Sequence, residues 1–179
     1  MAEGKTRGKL ARPMNKKAQT PGDVILVLIV LFALAIGALT ITYAYNQFYD
    51  LAANITAFNE SQDVMDAFAG GKTVNALWDY IILFSFIGLA IGLFIIGYFL
   101  DVHSVFFPFY VIGLIIAVIL SAIISYVWSY ITDYALFTTI ATTDLAITNH
   151  LLVNLPIYIT VIGAISMIAT YAKTRREGE

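Results

Sequence analysis

The sequence predicts an all-α polytopic membrane protein, with four transmembrane helices and helical extracytoplasmic extensions. Composition is the first observation behind this. Hydrophobic residues make up 60% of the chain and charged residues 12%, about half the charged share of a soluble domain. A soluble fold of 179 residues cannot bury that much apolar surface and still coat itself for water. The second observation is the placement of the 10 basic and 12 acidic residues, which leaves four long charge-free intervals. Crossing the hydrocarbon core takes about 20 helical residues, and each interval is that long. The third is the gathering of aromatic residues at the interval ends, where amphipathic rings favour the membrane interface. Only helices and closed barrels satisfy the backbone in lipid. The intervals lack the two-residue alternation of barrel strands, so helices are expected.

Residues 1–22 read as a disordered basic tail. Lys5, Arg7, Lys9, Arg12, Lys16 and Lys17 stand among Gly4, Gly8, Pro13, Pro21 and Gly22 without helical periodicity. Asp23 is placed to cap the first helix, with Pro21-Gly22 marking the break. The first span covers residues 24–45. A cleaved signal peptide is its rival, through the small residues around Ala33-Leu34-Ala35. The apolar run continues past that point and the leader is long, so a retained span is expected.

Beyond it, Phe48, Leu51, Ile55, Phe58, Met65 and Phe68 recur at three- and four-residue steps, with Gln62 as the missing member. That is an amphipathic helix pattern. It predicts that the first helix continues outside the membrane until Gly70-Gly71 stops it, with Thr73 capping the second span. The second span covers residues 80–100. Asp101-Val102-His103 is a very short turn, so the second and third spans form an antiparallel hairpin. Ser104 is a cap for the third helix, and Pro108 is tolerable in its first turn. The third span, 104–132, exceeds what a bilayer needs and must tilt or protrude. Thr142, Thr143 and Asp144 resemble a helix start. The fourth span covers 151–172, with Pro156 either kinking a long helix or lying in the first turn of a shorter one. The transmembrane domain is thus 23–173, followed by a charged tail, 174–179. The two outer connections are expected to pack together above the membrane.

Orientation follows from the basic residues. Six precede the first span; Lys173, Arg175 and Arg176 follow the last, and Lys72 alone lies elsewhere. The positive-inside rule puts both termini in the cytoplasm, or in the interior of a virion. The outer connections then hold Asp50, Glu60, Asp63, Asp66, Asp133 and Asp144. Trp78 and Trp128, with Tyr43, Tyr45, Tyr49, Tyr80, Tyr126 and Tyr130, fall at the outer boundary. Tyr98, Phe99, Phe106, Phe107, Phe109, Tyr110 and Tyr171 fall at the inner one.

Small residues indicate how the helices associate. Gly113, Ala117, Ser121, Ser125 and Ser129 form a stripe at strict four-residue spacing on the third span. Small side chains let backbones approach, and serines hydrogen-bond across helices. Gly88 and Gly92 make a GxxxG step on the second span. Thr160, Gly163, Ser166 and Thr170 make a looser face on the fourth, and Ala33 with Gly37 does so on the first. Packing inside one four-helix bundle is the plainer reading. A seam between copies and a water path along the serines are the sharper ones.

Chemistry is sparse. No ionisable residue lies in the central part of a span, where such groups mark proton relays and coupling sites. The chain has no cysteine. His103 and His150 fall on opposite sides of the membrane and cannot share a metal. Glu60, Asp63 and Asp66 repeat every three residues; a solvated helix face accounts for them more simply than a cation site. No catalytic residue, metal site or cofactor is therefore expected. Asn54-Ile55-Thr56 and Asn59-Glu60-Ser61 match the glycosylation sequon on the outer side. The basic tail suits anionic lipid headgroups, with nucleic acid as the lesser alternative, since no aromatic residues interleave for base stacking.

The four-span tetraspanin and claudin patterns need loop cysteines and are excluded. In size, low charge and basic ends the chain resembles phage holins and the membrane proteins of lipid-containing viruses, in architecture and without diagnostic residues. The expectation is a non-enzymatic integral membrane protein of a cell membrane or virion internal membrane. Its role would be structural or in assembly, as a subunit packing against other subunits or itself. A small pore former, either a channel or a holin-type lysis protein, is the alternative.

Overall fold

The structure, a computed structural model, describes residues 21–99 and 107–176, and every element among them is helical. The basic tail with Lys5, Arg7, Lys9, Arg12, Lys16 and Lys17, the Asp101-Val102-His103 turn and Ser104 lie outside the described residues. The elements are α1 (Pro21–Ala53), α2 (Thr56–Asn59), α3 (Gln62–Phe99), α4 (Phe107–Thr132), α5 (Ala135–Thr139), a π-helical turn (Ile140–Asp144), α6 (Ala146–Val153) and α7 (Leu155–Arg176). Three helices are long and apolar enough to cross a membrane: Val24–Ala53, Gln62–Gly92 and Val111–Thr132. A fourth crossing is present if α6 and α7, bent 67° at their break, count as one span.

Each long helix turns a seam of three- and four-residue steps inward. In α1 the buried seam is Leu28, Leu31, Ala35, Ala38 and Thr42; in α3 it is Asn75, Asp79, Ile82 and Phe86. In α4 it is Gly113, Ala117, Ser121, Ile124 and Trp128, and in α7 Leu155, Ile159, Gly163 and Ser166. This spacing keeps one face of a helix against its neighbours over many turns. The outward faces are just as apolar: Phe84, Ile119, Ile123 and Ile168 are all exposed. With apolar residues on both faces, polarity does not separate inside from outside, as suits a lipid solvent. The inward faces mix large side chains such as Leu31, Phe86 and Trp128 with small ones such as Ala35, Ala117 and Ser121, and the small ones admit close approach.

Several boundaries differ from those the sequence suggests. Helix α1 starts at Pro21 rather than after Asp23, with proline in a first-turn position that suits its fixed φ and missing N–H. It ends at Ala53, so Phe48 through Phe68 do not lie on one continuous helix. The chain reverses through Asn54-Ile55, α2 and Glu60-Ser61, and Phe48 meets Phe68 edge to face at 5.5 Å across the reversal. Gly70-Gly71 does not stop a helix; α3 runs straight through it. A glycine costs about 1 kcal/mol in a helix interior, and packing overrides it here. A Cβ on Gly71 would collide with the Tyr45 ring, whose hydroxyl donates to the Phe68 carbonyl at 2.5 Å. Thr73 caps nothing; it lies inside α3 and donates to Ala69 O.

At about 1.5 Å per residue, the 33 residues of α1 and 38 of α3 reach about 50 and 57 Å. Both outrun a hydrocarbon core of about 30 Å. Their extensions form a hairpin closed by α2. The second connection packs on it: Tyr43 meets Phe137 edge to face at 5.4 Å, and Asn46 Nδ2 donates to Asp144 at 2.8 Å. Thr142-Thr143-Asp144 closes the π-helical turn, marked by Leu145 N–H donating five residues back to Ile140 O at 2.9 Å, and a helix does follow it, α6 from Ala146, although none of the three caps it. Pro156 lies in the first turn of α7, just past the break where α6 and α7 bend by 67°.

Candidate functional site

The most chemically distinct region is a polar layer along α6, from its start after the π-helical turn to its break from α7. A helix start exposes N–H groups with no intrahelical partner. Leu145, the residue before α6, offers no side-chain cap. The cap comes instead from α3. Asp79 Oδ2 accepts from Ile147 N–H at 2.9 Å and Oδ1 from Thr148 N–H at 2.6 Å. Asp79 is only 6% exposed. A buried carboxylate is tolerable here because two charge-assisted hydrogen bonds and the positive end of α6 meet it.

The other end of α6 is satisfied as well. Asn154 Nδ2 donates to His150 O at 2.8 Å. Ser125 of α4 donates to Val153 O at 2.6 Å. One turn along α4, the fully buried Trp128 donates its indole N–H to Asn149 at 2.8 Å. Helix α6 is thus held from α3 at its start and from α4 at its middle and end. Two buried hydroxyls, Thr42 and Thr148, have no hydrogen-bond partner. At the C-terminal end of α4, Tyr130 and Tyr134 share a 3.0 Å hydrogen bond between hydroxyls, and that bond, with a contribution from desolvation, raises the Tyr134 phenol above its usual pKa.

The stripe on α4 faces the interior. Gly113, Ala117 and Ser121 are buried, and Ser125 and Ser129 half-buried. Ser121 donates within its own helix, to Val118 O at 2.7 Å; only Ser125 bonds another helix. Gly163 of α7 lies under Leu114, whose side chain a Cβ there would meet. Gly88 and Gly92 are not brought to any neighbour: nothing lies within 4 Å of a Cβ added at either. The reason is helical phase, since Gly88 stands two residues, about 200°, round α3 from inward-facing Phe86. On α1 the close-packed small residues are Ala35 and Ala38, not Ala33, which is exposed, or Gly37, which has open space beside it. On α7 Thr160 is exposed and bonds back to Pro156 O at 2.7 Å.

Glu60, Asp63 and Asp66 are all exposed. Among the described residues no group of three His, Cys, Asp or Glu is placed to hold a metal ion. His150 is exposed, with its ring 6.4 Å from that of Tyr158. Sequence reasoning missed Asp79, Asn149, the Trp128 indole and Gly71. Asp79 was visible in principle: positions 75, 79, 82 and 86 form a three-and-four seam, and a carboxylate on such a seam must find a partner. The chain matches no protein-family model, no curated protein and no solved structure.

Proposed function

We propose that the chain is a non-enzymatic integral membrane protein with a structural or assembly role, a subunit of a larger membrane complex or of a viral membrane. Both termini face the cytoplasm or interior, where the basic tail meets anionic lipid headgroups. One observation carries the reading. Broken helices in membranes serve ions and substrates by leaving N–H and C=O groups free at the break. Here the carbonyls at the break are taken, Val153 O by Ser125 and His150 O by Asn154, and the first amides of α7, Ile157 and Tyr158, donate to Asn154 O, while Asp79 holds the far end of α6. The break is spent on holding the fold together, which favours a scaffold over a conducting path.

Partners would be other membrane subunits or further copies, meeting the outward apolar faces. The test is the mass of the purified chain in a mild detergent, measured by light scattering with the detergent contribution subtracted. An assembly role is supported by a complex larger than one chain, or by a second subunit retained in stoichiometric amount. A lone chain, isolated from its native membrane without any partner, would contradict it.

A further inference from the structure

The apex of the outer hairpin carries a feature that the scaffold reading does not use. Both sequons lie there. Asn54 and Thr56 are exposed, as is Asn59. Asn54 follows the last residue of α1 and lies nine residues past Tyr45, which places it about 13 Å beyond that ring along the helix axis. We propose that, in a cell with an N-glycosylation apparatus, Asn54 is the acceptor of an N-linked glycan. The proposal rests on the outward orientation of the hairpin given above.

Geometry selects Asn54 over Asn59. Ile55, the middle residue of the first sequon, is extended, with φ −89° and ψ 114°. An enzyme that binds this segment need only release the Asn54 and Ile55 N–H groups from Leu51 O and Ala52 O, at 3.2 and 3.1 Å, and fray Thr56 from the start of α2. The Asn54 side chain is tied only by an exposed 2.8 Å bond from its Nδ2 to Asp50 O. Asn59 ends the single turn of α2, and Glu60 after it is still helical, with φ −76° and ψ −15°. Using Asn59 would mean unwinding that turn.

The chemistry balances without a redox partner. The co-reactant is a sugar carried on a lipid phosphate. Asn54 Nδ2 forms a bond to the anomeric carbon as the carbon–oxygen bond to phosphate breaks. The lipid phosphate leaves with the bonding electrons, and one amide proton passes to solvent. The product places a bulky, water-seeking group beside Leu51, Ile55 and Phe58, apolar residues exposed at the same apex.

The full chain is synthesised into sealed microsomes that carry the glycosylation apparatus. The expected result is a discrete upward shift on a gel that peptide N-glycosidase removes, that Asn54→Gln abolishes and that Asn59→Gln retains. Orientation is read separately from Ala67→Cys, an exposed α3 position in a chain with no other cysteine. An impermeant maleimide should label it only after the microsomes are opened. A shielded Ala67→Cys with no glycan overturns the acceptor while leaving the orientation standing, as does a shift that survives Asn54→Gln. Labelling of Ala67→Cys in sealed microsomes overturns the orientation and the proposal with it.

Discussion

Asp79 Oδ1 accepts the Thr148 N–H at 2.6 Å across 69 residues of sequence. This contact fixes the start of a helix that has no cap of its own, and it ties α3 to the broken α6–α7 pair. Its loss is expected to be felt throughout the outer half of the bundle. Asp79→Leu strands one buried and one part-buried N–H group, and at about 1–3 kcal/mol for each unsatisfied group it should destabilise by roughly 2–6 kcal/mol. Asp79→Asn keeps one acceptor and should cost about half as much, in the range of a lost cap. Reversible denaturation in detergent measures both. Equal stability of Asp79→Leu and the wild type would show that the contact contributes nothing.

Neighbouring glycines in α3 should respond in opposite directions. Gly71→Ala drives a methyl into the Tyr45 ring, breaks its bond to Phe68 and should cost about 1–3 kcal/mol. Gly70→Ala meets open space and should stabilise the helix by about 0.5–1 kcal/mol, since alanine gives up less backbone entropy. Melting temperatures of the two variants should fall on either side of the wild type.

The α4 stripe gives a similar contrast. Ala117 is 2% exposed and Ile116 is 47% exposed. Leucine at Ala117 overpacks a closed contact and should cost about 1–3 kcal/mol. Leucine at Ile116 conserves volume on a lipid-facing position and should cost well under 1.5 kcal/mol. Thermal stability in detergent distinguishes them, and equal melting would remove the stripe from the contact surface.

Topology yields to single cysteines. Thr143 is exposed on the second outer connection, and Thr143→Cys should react with an impermeant reagent in intact cells. On the proposed orientation, His103→Cys should react only after permeabilisation. Labelling of His103→Cys in intact cells would overturn the four-span orientation.

The all-helical fold, with helices long and apolar enough to cross a membrane, was legible because charge-free length is a crude rule that twenty-residue windows record. The inward face of α4 was legible as well, since Gly113, Ala117 and Ser121 differ in size from their neighbours. Gly88 and Gly92 misled because a GxxxG step marks a helix that permits close approach, not one that has a neighbour. Gly70-Gly71 misled because local propensity amounts to only about 1 kcal/mol per glycine and does not register that Tyr45 lies over Gly71. Asp79 escaped because its partners, the amides of Ile147 and Thr148, are backbone groups almost seventy residues away. No local pattern encodes an acceptor for a distant helix end.

Whether the interior is sealed is the most direct test of a scaffold role. The purified chain is reconstituted into liposomes loaded with a small dye and with a potassium gradient. Its polar groups at the break are engaged by Ser125 and Asn154 and those at the start of α6 by Asp79, so the vesicles should hold dye and gradient as protein-free vesicles do. Rapid loss of either by the wild type, suppressed when Ser121, Ser125 and Ser129 are replaced by leucine, would contradict the scaffold and establish a pore.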